Sequence, residues 1–146
     1  MTRATNPWLI AAAWMSVVAS LLHIACIIGG PEWYRFFGAG ERVAHKAAMG
    51  SIIPPLMAGG IAAVLAAWAA FAFSAAGILR PLPLTRSALI AIASVLLLRG
   101  VLGFTPAFLP IPSLAFKLWS SAICLGMGIC FAIGTWQAWP RLSQRN

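Results

Sequence analysis

Four apolar stretches, at about residues 8–28, 51–76, 87–104 and 114–136, limit what this chain can fold into more than any other feature. Each is long enough, or nearly so, to supply the roughly 20 helical residues that cross a hydrocarbon core of about 30 Å. Charged residues make up 8% of the 146 positions and apolar ones 62%, whereas soluble domains carry about 25% charged residues. The expected fold is an all-α membrane protein: one integral-membrane domain over 1–146, a four-transmembrane-helix bundle with a short interfacial helix in its first loop. The net charge of +8 would suggest nucleic acid in a soluble protein, but the basic residues are spread over loops and termini, as flanks of membrane helices are.

The first stretch opens at Asn6 and Pro7 and ends at Gly29, Gly30 and Pro31. Proline is tolerated at a helix start because its missing amide hydrogen would be unpaired there. The apolar run is too long for a signal-peptide core, so a retained helix is expected rather than a cleaved leader. The second stretch begins with Pro54 and Pro55 and continues into IAAVLAAWAAFAFSAAG. Such a small-residue surface lets backbones approach closely in lipid, which places this helix at the centre of the bundle and offers faces for a second copy or a membrane partner. The uncharged TPAFLPIPS connection is expected to dip into the interface. Cys26, Cys124 and Cys130 lie inside apolar stretches without metal-site spacing and read as small packing residues.

Between the first two spans lies PEWYRFFGAGERVAHKAAMG. Trp33, Tyr34, Phe36 and Phe37 are aromatic anchors of the kind found at headgroup level. From Gly40 to Gly50 a short amphipathic helix is expected, with Glu41 and His45 on one face and Arg42 and Lys46 on another. Positive charge sets orientation. With four spans, Arg3, Arg80, Arg86, Arg141 and Arg145 share one side, against Arg35, Arg42, Lys46 and Lys117 on the other. Both termini are therefore expected in the cytoplasm.

The chain has two acidic residues and two histidines, and all four lie between His23 and His45. Arg99 stands within the third span, where an ionised side chain is costly and needs a partner or a wet cavity. It lies about 7–8 Å below the outer end at 1.5 Å per residue, a depth shared by His23 on the first span. Ser16, Ser20 and His23 form a polar stripe at helical spacing, Ser121, Cys124, Gly128 and Thr135 form another, and Gly103 leaves room beside the guanidinium. The expected site therefore combines His23, Glu32, Trp33, Tyr34, Glu41 and Arg99. Its ligand would be a lipid or another small amphiphile at the outer leaflet, with Glu41 as the counter-charge of Arg99 in the free protein. A purely structural use, with Arg99 reaching the headgroups, has the same ingredients. A membrane enzyme or metal protein on His23, Glu41 and His45 is the alternative, since these are the donors of a two-histidine, one-carboxylate site. No cofactor is expected.

The chain has no Asp, and neither Glu lies inside a span. That excludes paired intramembrane aspartates and a membrane-embedded glutamate of the kind used by small proton-coupled antiporters. The absence of a cysteine pair facing the periplasm excludes four-helix disulfide enzymes. There is no GxSxG context, and the glycines of GGPEWYRFFGAGE follow no strand, so they form no nucleotide loop. This run, with the proline-opened small-residue helix, the LRPLPL loop and LLLRG after it, resembles a family of small bacterial inner-membrane proteins of unassigned function. The resemblance covers about the first hundred residues and rests on His23, Gly29, Gly30, Trp33, Tyr34, Phe37, Gly38, Gly40, Glu41 and Arg99. It implies an inner-membrane location and no activity.

Overall fold

The computed structural model describes residues 5–105 and 114–143. Arg3, Arg145 and the connection over 106–113 lie outside the described residues. Among these residues the chain forms five helices: α1 (Pro7–Phe36), α2 (Glu41–Ala48), α3 (Ile53–Ala76), α4 (Thr85–Leu102) and α5 (Leu114–Ser143). All but α2 are long and apolar enough to cross a membrane, so the chain is a multi-pass membrane protein built as a helical bundle.

Side-chain size is sorted as lipid requires. On α3 the buried positions are Ala58, Ala62, Leu65, Ala69, Ala72, Ala75 and Ala76, while Leu56, Met57, Ile61 and Val64 are exposed. Hydrocarbon tails are as apolar as leucine, so large side chains gain little by leaving them; small ones let backbones close and collect dispersion contacts. α1 packs along α3, and α4 along α5, with α5 also meeting α1. α3 touches all four other helices, as its composition implies. α1 and α4 stand diagonally and do not meet among the described residues. Along the α4–α5 seam a Cβ on Gly100 would lie 2.8 Å from Leu125 N, and one on Gly128 would lie 2.9 Å from Leu97 N.

Polar side chains fasten the end that carries the termini. Asn6 caps α1, its Oδ1 accepting from Trp8 N at 3.0 Å and Leu9 N at 3.2 Å, while its Nδ2 donates to Gly134 O of α5 at 3.0 Å. Ser74, buried at the end of α3, donates to Arg80 O at 2.8 Å and accepts from Leu82 N at 3.0 Å. One hydroxyl thereby shapes the loop over 77–84, and Thr85 adds a bond to Leu82 O.

Two helix limits differ from the expected spans for identifiable reasons. α1 does not stop at Ile28. Gly30, at φ 67° and ψ −151°, breaks the ladder in a region that is essentially closed to other residues, and Pro31 then restarts a helical segment over 31–36 as it would open any helix. The aromatic run is therefore helical, directed away from the span by the kink. α5 runs past Trp136 and through Pro140 to Ser143, since an interfacial turn needs no apolar sequence to stay helical. α3 and α4 lie within two residues of expectation at each end.

Gly30→Ala is expected to lower stability by about 1–3 kcal/mol, the cost of forcing a side chain into that backbone region. Gly60→Ala, inside α3 and with nothing within 4 Å of the added Cβ, should leave the melting temperature in detergent unchanged or slightly raised. Circular-dichroism melts of the two variants check the contrast.

Candidate functional site

Both carboxylates of the chain are held by one residue, Arg35. The kink at Gly30 swings the 31–36 segment over α2, and the tight turn through Gly38 and Gly40 returns the chain so that Glu41 opens α2 beside it. Arg35 Nε donates to Glu41 Oε2 at 2.9 Å, and its Nη2 donates to Oε1 at 2.8 Å, a two-pronged pairing. Its Nη1 reaches Glu32 on the preceding turn. The hydrogen bond from Arg35 holds the Glu41 carboxyl below its ordinary pKa. The side chains of Glu32 and Glu41 are 80% and 71% exposed, so this clamp orients α2 more than it stabilises the fold.

Arg99 therefore does not pair with Glu41, contrary to expectation. α2 packs on α1 and α3 and never reaches α4, and Arg35 takes up both carboxylates. What surrounds Arg99 is neutral or positive. Its Nη1 lies 3.3 Å from Ser121 Oγ and its Nη2 3.4 Å from Ser120 Oγ, both long for N–H···O bonds. Ser121 in turn donates to Lys117 O at 2.6 Å, and the Lys117 ammonium caps Thr105 O at the end of α4. The space foreseen at Gly103 is real: a Cβ there would overlap Ser121 Oγ and lie 2.6 Å from Arg99 Nη1. Arg99 is half-buried. The cluster thus presents two cations and two hydroxyls at one end of the α4–α5 seam, with no carboxylate among them.

The remaining expected residues fall elsewhere. His23 is half-buried on α1, with Nδ1 2.8 Å from Ala19 O. The diagonal placement of α1 and α4 keeps it from Arg99. Ser20 donates across to Ala62 O of α3 and Ser16 to Ala12 O, so the polar stripe of α1 serves helix packing and lines no site. His45 is exposed on α2. Among the described residues no group of three or more His, Cys, Asp or Glu side chains is placed to hold a metal ion, so His23, Glu41 and His45 are not assembled into a donor set. Tyr34 turns inward at 5% exposure, into a small cluster with Cys26, Ala44 and Ala58, and its hydroxyl has no partner.

Glu32, Trp33, Arg35, Phe36 and Phe37 line a cavity of about 690 Å³ at the far end of α1. Phe36 meets Phe37 edge-on at 5.1 Å between ring centroids, and Trp33 lies 5.9 Å from Phe37. This loop leans on the start of α5, since a Cβ on Gly38 would stand 2.6 Å from the Phe116 ring, and Phe116 adjoins Lys117. Reading the sequence missed Arg35 as the partner of Glu41, and Lys117 and Ser120 as neighbours in the cluster around Arg99. The acid count carried a signal for Arg35, because Glu32 sits three residues before it on what proves to be a helix.

Glu41→Gln and Arg99→Met should have additive effects on thermal stability, whereas Glu41→Gln and Arg35→Met should not. Because the folded-state pKa of Glu41 is depressed, the contribution of the clamp is complete above the ordinary carboxylate value and is lost as pH falls through the lowered one. The small gap in melting temperature between wild type and Glu41→Gln is thus expected to hold from neutral pH down to the ordinary carboxylate range and to close only at pH below that range.

Compared with protein-family models, curated proteins and solved structures, the chain matches none, so the chemistry of these side chains carries the functional reading.

Proposed function

We propose that this is a non-enzymatic binding protein of the bacterial inner membrane, which holds an anionic amphiphile at the end of the bundle that bears the first loop. One observation carries the reading: Arg99 is half-buried within a membrane helix and has no carboxylate, because Arg35 holds both acids of the chain. An uncompensated guanidinium at that depth is costly, and a phosphate or carboxylate headgroup is its natural complement. Lys117 adds a second charge, Ser120 and Ser121 accept from Arg99 and so orient its guanidinium, and the aromatic cavity at the same end offers an apolar wall for a tail. The inner-membrane setting rests on the resemblance of the first hundred residues.

The arginines in the sequence at the termini and in the 77–84 loop support a reading with that side in the cytoplasm and the amphiphile in the outer leaflet. Single cysteines at positions 83 and 46, the latter exposed on α2, in a cysteine-free background, test this. Labelling from outside is expected at 46 and not at 83, and the reverse pattern would remove the outer-leaflet assignment.

Dodecyl phosphate is expected to raise the melting temperature of the purified protein more than dodecylphosphocholine does, and Arg99→Gln should abolish the difference. Saturation at about 100 times the dissociation constant corresponds to roughly 2.7 kcal/mol of stabilisation. An equal response to the two detergents in wild type, or an undiminished one in Arg99→Gln, would show that Arg99 is only a structural anchor.

A further inference from the structure

At the opposite end of the bundle Arg86 meets no carboxylate among the described residues, and it stands at the head of a groove. Arg86, Ile90, Ala93 and Leu97 recur at i, i+4, i+7 and i+11 along α4, and Ala132, Trp136, Trp139 and Ser143 do so along α5, so each set forms one helical stripe. Between them lies a cavity of about 500 Å³ lined by Ile90, Ala93, Leu97, Ala132, Trp136 and Trp139 among others. Ile90 and Trp136 are exposed, so the groove opens to the surrounding lipid. The Arg86 guanidinium carbon rests 3.7 Å from the centre of the Trp139 ring. Among the described residues its one hydrogen bond, to Ser143 Oγ, is 3.5 Å long, which leaves most of its five N–H groups available there.

We infer that this groove is a binding site for an anionic phospholipid, with the phosphate on Arg86 and one acyl chain between α4 and α5. Three observations favour that occupant. From Arg86 to Leu97 the stripe extends about 16 Å at 1.5 Å per residue, close to half of a hydrocarbon core of roughly 30 Å, which is the reach of one chain in one leaflet. Like charge disfavours a second copy of this protein packed in parallel, because Arg80 and Arg86 lie at this end while both Glu side chains are at the other. The Trp139 face fixes the guanidinium plane, leaving its edge for a two-pronged contact with phosphate oxygens. The site is independent of Arg99, which lies thirteen residues further along α4, about 20 Å away at 1.5 Å per residue, so either can stand without the other.

The full-length protein in phosphatidylcholine vesicles, doped with phosphatidylglycerol carrying a photoreactive group in mid-chain, tests the assignment. Crosslinked peptides covering 90–97 and 132–139 are expected to exceed those from the matching phosphatidylcholine probe about fivefold, the value of one headgroup charge near the surface. Arg86→Gln should erase that preference, while Arg99→Gln should leave it intact. Ala132→Phe, which fills the groove and keeps Arg86, should lower labelling of these peptides by both probes and covers the case in which Arg86→Gln fails to fold. Equal labelling by the two probes in wild type, unchanged labelling in Ala132→Phe, or crosslinks between two protein copies through these peptides would each overturn the inference.

Discussion

Backbone closeness holds this bundle together. Without a hydrophobic effect to drive helices out of hydrocarbon, association depends on van der Waals contact and on polar groups finding one another. The chain meets that demand with alanine along α3 and with glycine along the α4–α5 seam, where Gly100 and Gly128 sit against opposing backbone nitrogens. While Leu9, Leu89 and Phe131 fill the interior, many large side chains, from Trp14 through Leu98 to Trp136, are turned outward. Their size gives the helices length and lipid contact, and the small residues give the protein its shape.

Scarcity of negative charge is the second constraint. Two carboxylates serve ten basic residues, and the fold spends both on Arg35, at the joint between the kinked end of α1 and the start of α2. The other cations must be satisfied by hydroxyls, carbonyls, aromatic faces or groups that the chain does not possess. Lys117 uses a carbonyl and Arg86 an indole ring. Arg99 has two long contacts to serines and no carboxylate among the described residues. The proposed site rests on this tension between its burial and its environment, and not on the histidines, which are the more reactive groups.

The helices were legible because their signals are strong and local: apolar length, Asn6 with Pro7 at the first start, and Gly40 before an amphipathic turn. The Gly30–Pro31 break was also legible as a break. That helix resumes beyond it was not, because a proline after a glycine stops one helix and starts the next with the same chemistry. The space beside Arg99 at Gly103 could be read from spacing alone. Its partner could not, since depth along a helix axis is a one-dimensional coordinate, and His23 matches Arg99 in that coordinate while occupying the diagonal position. Pairing depends on which helices are neighbours, and the sequence carries that only in the pattern of small residues, which the seams share.

The bond from Asn6 to Gly134 joins residues 128 positions apart, and this bears on how the protein is made. Ribosomes deliver α1 first and α5 last, so the amide of Asn6 has no permanent acceptor until nearly the whole chain has been synthesised. α1 can settle against α3 once half the chain has emerged, and α4 can close on α5 as a local hairpin. The two hairpins then have to be sealed at the start of α1, where Leu9 fits against Gly134 beside that bond. A nascent chain stalled before the last helix would therefore expose an unfinished polar lock at the membrane surface, a mark by which quality-control machinery could tell a half-built bundle from a complete one.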